Sequence, residues 1–184
     1  MEPTTVVSRL LQNTAHPSIL SSLCTPDCTF VSITYNNPPL KAVLPFAGRH
    51  VGEGPQAILD TFSTVDAIWK RDEFTVDTIF QGKNVVKEGA DVFGSSNFAE
   101  THPKHESVAK LIDVSVFGSF ALKSRTTGKK IRSPYCVWCK VNAESEKVVY
   151  MQYLEDTLGT TSVLKSQDGY GKFHVFAEKG EFDV

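Results

Sequence analysis

Residues 148–156 read VVYMQYLED, and this stretch decides the fold because it is the last of a series of strand-like runs. Its β-branched and aromatic residues are typical of a sheet strand, and it ends in two acids, Glu155 and Asp156. Successive side chains in a strand point to opposite faces of the sheet. Tyr153 and Glu155 therefore share one face, Asp156 lies on the other, and the two acids cannot work as a carboxylate pair inside the strand.

Similar runs precede this strand and are separated by turn-forming residues. The last of these turns is Asn142–Glu146, and a second one covers residues 126–129. A hairpin turn is predicted at Gln81–Asn84, and Gly118 is predicted to form a bulge. The predicted strands cover residues 74–80, 85–93, 108–125 (one bent strand or two) and 131–141.

The first third of the chain has helical periodicity instead. A helix begins near Glu2, a shorter one covers residues 18–23, and a strand covers residues 28–35. Two adjacent prolines predict that residues 36–54 form a loop. Pro55 then starts the third and longest helix, which ends near Trp69.

Helices followed by hairpin-linked strands predict an α+β fold. We expect a cone-shaped, curved antiparallel sheet of about five to six strands, with three helices from the N-terminal side covering its concave face. The interior of such a cone is a deep apolar pocket. One domain is expected over residues 1–164, with a polar excursion at 94–107. Residues 165–184 form a tail in which 173–176 have the composition of an edge strand.

Composition excludes several classes of protein. The chain has 184 residues, of which 41% are hydrophobic and 22% charged, with a net charge of -2. This balance gives no electrostatic footprint for nucleic acid or an anionic membrane. We find no signal-peptide pattern and no apolar run approaching the ~20 residues that span a bilayer, so a cytoplasmic location is expected.

Four cysteines form two close pairs, Cys24/Cys28 and Cys136/Cys139. The second pair lies in a predicted strand, where an odd separation places the two sulfur atoms on opposite faces. Neither pair is flanked by a glycine-containing turn of the kind that zinc sites use. We therefore expect reduced thiols and no metal site.

The order of these elements resembles the SnoaL-like and ketosteroid-isomerase-like group of the nuclear-transport-factor-2-like superfamily. The resemblance is carried by residues 35–40 (YNNPPL), 52–59 (GEGPQAIL) and 149–157 (VYMQYLEDT), and it covers residues 4–164 apart from 94–107. It implies the cone-shaped fold, a hydrophobic small-molecule ligand and a homodimer formed through the outer sheet face. The fold hosts isomerases, cyclases, dehydratases, epoxide hydrolases and binding proteins, so it does not fix the activity.

The epoxide-hydrolase branch of the superfamily has a catalytic set that this sequence matches only in part. Limonene-epoxide-hydrolase-like enzymes hold the attacking water with a Tyr-x-Asn-x-Pro pattern, which Tyr35 and Asn37 match. Those enzymes also need an Arg and two Asp residues, but these positions fall near Gly118, Phe120 and Tyr153. The pattern argues against the epoxide-hydrolase mechanism and leaves Tyr35 and Asn37 as predicted substrate-binding residues. A strand-end aromatic and a turn former are their structural alternatives.

Glu155 is the predicted catalytic residue, with Tyr153 beside it and Asp156 as the alternative if the register differs by one. By register with the family, the face carrying Tyr153 points into the cone. A carboxyl group on an apolar wall has a raised pKa, which suits a proton donor or acceptor near neutral pH. Tyr153 is placed to hydrogen-bond an enol or alkoxide oxygen. The alternative is a strand end at which both acids are solvated.

Four more residues complete the predicted substrate-binding set, which are Arg49, His50, Trp69 and Tyr135. Arg49 is placed to pair with Glu155 or a substrate oxygen, or it is a surface charge. His50 lies in the loop that leads to the third helix, where the family places pocket residues, or it faces solvent. Trp69 is a residue that stacks on the ligand, or it is a core or dimer-face residue. Tyr135 is predicted to bind the substrate.

Two functions are compatible with this sequence. The first is a cofactor-free isomerase, cyclase or dehydratase that acts by acid–base catalysis on a hydrophobic polycyclic metabolite of polyketide or terpenoid type. The second is a non-catalytic ligand-binding or dimerisation module on the same fold. Neither function involves nucleic acid or a membrane.

Overall fold

The computed structural model describes residues 1–82, 111–162 and 164, together with the backbone of 172–174 and 181–183. Its first two helices are α1 (Pro3–Gln12) and α2 (Pro17–Leu23), each with a proline in the first turn, where the missing N–H costs no hydrogen bond. The apolar stripe of α1 is buried, as its periodicity predicts. Among the described helices, none is long and apolar enough to cross a membrane.

Within the described residues, six strands form one curved mixed sheet that does not close into a barrel, in the order β2-β1-β6-β5-β4-β3. All neighbours are antiparallel except β1 and β6, which run parallel. This architecture confirms the predicted α+β class, and the structure adds the parallel pair. The strands are β1 (Cys24–Ser32), β2 (Gly48–His50), β3 (Trp69–Gln81), β4 (Leu111–Ser124), β5 (Lys130–Asn142) and β6 (Lys147–Glu155).

The predicted loop at residues 36–54 contains two short elements, so that part of the prediction is wrong. Helix α3 (Pro38–Val43) begins at the double proline, and the Asn37 side chain caps it by accepting a hydrogen bond from the Leu40 N–H at 3.0 Å. Strand β2 then pairs with β1 at the edge of the sheet. Both elements have six residues or fewer, which is too short for a periodic pattern to reveal them.

The long helix α4 (Gly54–Ile68) leads directly into β3, which pairs with β4 along its length. The second strand of the hairpin predicted at Gln81–Asn84, residues 85–93, lies outside the described residues. The excursion predicted at 94–107 lies outside them as well. A bulge does occur at Gly118, but the extra residue belongs to β3: Val76 and Thr78 flank it and pair with Gly118 and Phe117.

Gly118 is required by a close crossing of side chain over backbone. A Cβ atom there would lie 2.1 Å from the Thr75 carbonyl oxygen and 2.7 Å from the Tyr135 ring. The absent side chain lets the Tyr135 hydroxyl donate a hydrogen bond of 2.8 Å to that same carbonyl. Gly118 thus fixes the position of an aromatic ring inside the cone.

The core lies between the concave face of the sheet and helices α1, α2 and α4, which supply buried residues such as Val6, Leu20 and Ile58. After β6, a short helix α5 (Thr157–Ser162) packs against β5. In the tail, β7 (Lys172–His174) pairs with β8 (Glu181–Asp183) in a separate two-stranded sheet. The strand predicted near 173–176 therefore does not extend the edge of the main sheet.

Candidate active site

A cavity opens on the concave side of the sheet, between helix α4 and the ends of β3 and β6. Its empty space is about 530 Å³ when the mouth that opens to solvent is included. Aromatic and aliphatic side chains make up most of the wall, among them Phe30, Phe46, Phe62, Phe74 and Phe120. A small set of polar side chains interrupts this wall, which is the usual character of a small-molecule site. These are Ser32, Thr61, Arg71, Tyr153, Glu155 and Thr160.

Glu155 is the last residue of β6 and lies half-buried on the cavity wall. Loss of hydration raises the pKa of its carboxyl group from 4.5 to about 7. Hydrogen bonds with Thr160 and Tyr153 lower the pKa and so offset part of that rise, while the charge of Asp156 adds to it. At neutral pH both the acid and the carboxylate are populated, so this group can take up or release a proton.

Tyr153 holds the neighbouring position on the same strand face. Its ring stacks on Tyr135 with centroids 5.8 Å apart and meets the edge of Phe62 at 5.9 Å. Burial raises the pKa of Tyr153 well above its usual 10, and the nearby Glu155 charge and hydrogen bond raise it further. The phenol therefore stays protonated and serves as a hydrogen-bond donor to Glu155.

Tyr135 supports Tyr153 from behind rather than lining the cavity. It stacks on Phe74 at 4.8 Å on its other side and is buried. Burial raises the pKa of its hydroxyl group, and this group already donates a hydrogen bond to the Thr75 carbonyl. Its side chain is therefore part of the aromatic stack that positions Tyr153.

Asp156 lies at the surface, at the start of α5. Its Oδ1 accepts a hydrogen bond of 3.1 Å from the Gly159 N–H, and its carbonyl accepts one of 2.8 Å from the Thr160 hydroxyl. Asp156 thus caps the helix that brings Thr160 to the cavity. Strand alternation separates it from Glu155, as the sequence predicts.

Arg71 is a cavity residue that the sequence analysis missed. Its guanidinium group lies 5.7 Å from the centre of the Phe74 ring and pairs with Asp66, with Nη2 and Oδ1 3.4 Å apart. Its charge lowers the pKa of Tyr153, which places a cation within electrostatic reach of that phenol. Strand alternation from Trp69, two positions earlier on β3, is the signal that could have found it.

Trp69 and His50 lie close to the cavity in different ways. Trp69 is a buried wall residue whose ring meets Phe46 edge-on at 6.2 Å. His50 lines an adjoining polar recess that shares Phe46 and Thr61 with the cavity. Its ring stacks on Phe30 at 5.9 Å, and its Nδ1 lies 3.1 Å from Glu53 Oε2.

Besides Tyr135, three predicted binding residues, Tyr35, Asn37 and Arg49, lie outside the cavity. The Tyr35 hydroxyl is 2.9 Å from the Tyr150 hydroxyl, on the outer face of the sheet. Arg49 pairs in register with the outward-facing Val31 and acts electrostatically on Tyr150, so it does not form the expected pair with Glu155. Asn37 caps α3. The sequence could not show that these side chains lie outside the cavity. The face of the sheet to which the side chains of β1 and β2 point depends on how β1 pairs with β6.

The cysteines are free thiols. Cys136 faces outward and Cys139 inward, the separation that the strand pattern predicts. Burial raises the pKa of the Cys139 thiol. Within residues 1–82 and 111–162, no group of three His, Cys, Asp or Glu side chains is arranged to hold a metal ion.

Comparison with known proteins gives relatives that are similar in sequence and solved structures that are similar in fold. No family model matches the chain. It is 34% identical over 181 residues to patulin synthesis protein F of Aspergillus clavatus, covering 97% of this chain and 76% of that protein. It is 32% identical over 180 residues to patulin biosynthesis cluster protein F of Penicillium expansum, with the same coverage of 97% and 76%.

Solved structures show the same fold at low sequence identity. An NTF2-like protein from Burkholderia thailandensis superimposes with a TM-score of 0.60 and 15% identity, over 89% of this chain and 98% of the other. A protein described as a SnoaL-like polyketide cyclase, from Jannaschia, gives 0.55 and 11%, over 88% and 90%. The chain belongs to the family of patulin synthesis protein F, and its fold is that of the nuclear-transport-factor-2-like and SnoaL-like structures.

Proposed function

We propose that this protein is a cofactor-free isomerase, cyclase or dehydratase of secondary metabolism that moves protons on a hydrophobic, oxygenated small molecule. The observation that carries the proposal is Glu155: a carboxyl group on an aromatic wall, with a pKa of about 7 and a protonated phenol beside it. The names of its relatives, which refer to patulin biosynthesis, support a role in a pathway of that kind.

The chemistry follows from these two side chains. The Glu155 carboxylate removes a proton from a carbon atom next to a substrate carbonyl, and negative charge moves to the carbonyl oxygen. Glu155 then returns the proton to another carbon in an isomerisation, or to a departing hydroxyl group, which leaves as water, in a dehydration. Tyr153 holds the carboxylate in position by hydrogen bonding.

The surroundings of Glu155 suit this proton transfer. Apolar walls raise the pKa of the carboxyl group until it is close to the pH of the medium. Both protonation states are then populated, and neither is reached at a large cost in free energy. Arg71 is placed to stabilise negative charge that develops on the substrate, because it is the cationic residue on this wall.

A comparison of metabolites tests the proposal. A strain of the source organism that lacks this protein should accumulate a metabolite that the purified protein converts, without added cofactor, into an isomer or a dehydrated product. Glu155→Gln should lower the rate by at least a hundredfold, the usual worth of a general acid or base. Glu73→Gln is the matched control, because Glu73 is an exposed partner of Arg132 on the surface of β3.

Two results would count against catalysis by Glu155. One is a conversion rate that Glu155→Gln leaves unchanged, and the other is a conversion that needs an added cofactor. The second candidate function, a binding module, is favoured by the largely apolar wall. It predicts that the accumulated compound binds to the protein and is recovered unchanged.

We also propose a homodimer formed through the outer face of the sheet. Phe117 on β4 and Leu154 on β6 are 45% and 40% exposed there, and each pairs in register with Cys136 on the strand between them. Phe80 is 58% exposed, and its ring contacts that of Phe117. An apolar strip across neighbouring strands is typical of a surface that another protein covers. A cytoplasmic location stays a prediction.

A further inference from the structure

A buried hydrogen-bond donor on the cavity wall has no acceptor within the described part of the chain. The donor is the indole N–H of Trp69, whose side chain is 1% exposed and lines the cavity. Its Nε1 atom makes no hydrogen bond to any described residue. Buried indole N–H groups almost always have a partner, so this one needs an explanation.

Packing explains the ring of Trp69 but not its nitrogen. The edge-on contact with Phe46 needs only an aromatic ring, which Phe would supply without burying a polar group. The other tryptophan offers a comparison inside the same chain. On the outer face, Trp138 Nε1 donates to Asp113 Oδ1 at 3.0 Å. The fold therefore provides an acceptor for one indole, whereas the Nε1 atom of the other, which belongs to a residue of the cavity wall, has none among the described residues.

We propose that the Trp69 Nε1–H group donates a hydrogen bond to a carbonyl oxygen of the ligand. The indole has one donor and no acceptor, so it selects a ligand group that accepts. The ligand is then an apolar body that carries at least one carbonyl group, and its oxygen lies on the β3 side of the cavity. This inference rests on the proposed function, because it concerns the ligand of the same cavity.

The same hydrogen bond has a chemical use. When Glu155 removes a proton beside the carbonyl, the negative charge collects on the oxygen that Trp69 contacts. Trp69 and Arg71 lie two residues apart on β3 and both line the cavity, so the wall presents a donor and a cation together. A donor aimed at the developing charge stabilises it more than it stabilises the starting ketone.

Two matched probes test the hydrogen bond without any turnover. 2-Acetylnaphthalene carries a carbonyl oxygen, and 2-isopropenylnaphthalene has a CH2 group in its place with nearly the same shape. In wild-type protein labelled with 15N, the ketone should move the Trp69 indole resonance downfield, and the alkene should not. Trp69→Phe identifies that resonance, since the chain contains two tryptophans.

Calorimetry should show that the wild type binds the ketone roughly three- to tenfold more tightly than the alkene, the usual worth of one such hydrogen bond. Trp69→Phe should remove this preference, so that the ketone and the alkene bind with equal affinity, whereas a purely structural role would weaken both and keep the preference. Equal affinities in the wild type, an unmoved indole resonance or no binding of the ketone would overturn the inference. The resonance test in the wild type stands even if Trp69→Phe fails to fold, because Trp138→Phe also identifies which of the two indole resonances belongs to Trp69.

Failure of this inference is distinguishable from failure of the proposed function. Glu155→Gln leaves the donor in place, so it should keep the ketone preference even where it loses turnover. A ketone preference without any metabolite conversion would remove the catalytic assignment and keep the donor. Conversion that depends on Glu155 but not on Trp69, with no ketone preference, would do the reverse.

Discussion

Glu155 illustrates what one residue contributes and what it costs. Strand alternation alone places it on the same face as Tyr153 and opposite Asp156, and the structure has this arrangement. The sequence could not give the size of the pKa shift, because that depends on Thr160 and on the phenylalanines that surround the cavity. The loss of hydration on which the proposed proton transfer depends also makes the charged form of Glu155 unfavourable in the folded state.

The first prediction concerns the stability of Glu155→Gln. The folded-state pKa of about 7 lies above the unfolded-state value of 4.5, so the folded protein binds the proton more tightly between these values. Wild-type stability therefore falls as pH rises from 4.5 through 7, and the penalty is complete above pH 7. Glu155→Gln removes it and should stabilise the protein by about 1–3 kcal/mol at pH 8.

Urea unfolding at pH 8 and at pH 4 measures this effect. At pH 4, below the unfolded-state pKa, Glu155 is largely protonated in both states, and most of the gain should disappear. A gain of the same size at both pH values would show that the glutamine packs better and that the raised pKa is not the cause. Glu73→Gln, on the surface, serves as the control.

At the scale of the element, the glycine at position 118 of β4 leaves room for the ring of Tyr135 on β5. The sequence predicted a bulge at this glycine, and a bulge is present, but the extra residue lies on the partner strand. A single strand's pattern cannot show which of two paired strands holds the extra residue. The same limit applies to α3 and β2, which are defined by a cap on Asn37 and by pairing with β1 rather than by periodicity.

The second prediction is a large loss of stability in Gly118→Ala. The added Cβ would overlap the Thr75 carbonyl and the Tyr135 ring, both of which are fixed by their mutual hydrogen bond. We expect a loss of about 2–4 kcal/mol in the free energy of unfolding. The near-ultraviolet circular dichroism of the tyrosine stack should change with it.

Gly128→Ala is the control for this substitution. Gly128 has a φ of +71° but meets only one atom, at 4.0 Å, so alanine there brings backbone strain without a clash. Its cost should be about 1 kcal/mol. Equal losses at the two positions would mean that Gly118 is needed for its flexibility and not for the space it leaves.

The whole molecule was the most predictable level. Helices first and strands afterwards, together with the resemblance carried by residues 149–157, predict the curved sheet and its covering helices. The predicted set of binding residues divides between the two faces of the sheet. Tyr153, Glu155 and Trp69 line the cavity, whereas Tyr35 and Arg49 lie outside, because facing follows from sheet order, which one sequence does not give.

The third prediction concerns the proposed dimer. Phe117→Lys places a charge in the middle of the apolar strip and should convert a dimer into a monomer, because a buried unpaired charge is strongly unfavourable. Sedimentation equilibrium measures the change in mass. Ser145→Lys, in the exposed turn between β5 and β6, adds the same charge away from the strip and should leave the mass unchanged.

A wild-type protein that sediments as a monomer at micromolar concentration would contradict the dimer directly. A dimer that survives Phe117→Lys would place the interface elsewhere. Neither outcome affects the proposed chemistry, since the strip and the cavity lie on opposite faces of the sheet.

The parallel pairing of β1 with β6 has a consequence for how the protein is made. β1 is synthesised early, but its parallel partner in the sheet emerges from the ribosome only after β3, β4 and β5. Until then one edge of β1 has no neighbour, a condition that invites association between nascent chains. Glu155, the proposed catalytic residue, arrives with that last strand, so the candidate site is completed in the same step that pairs the free edge of β1.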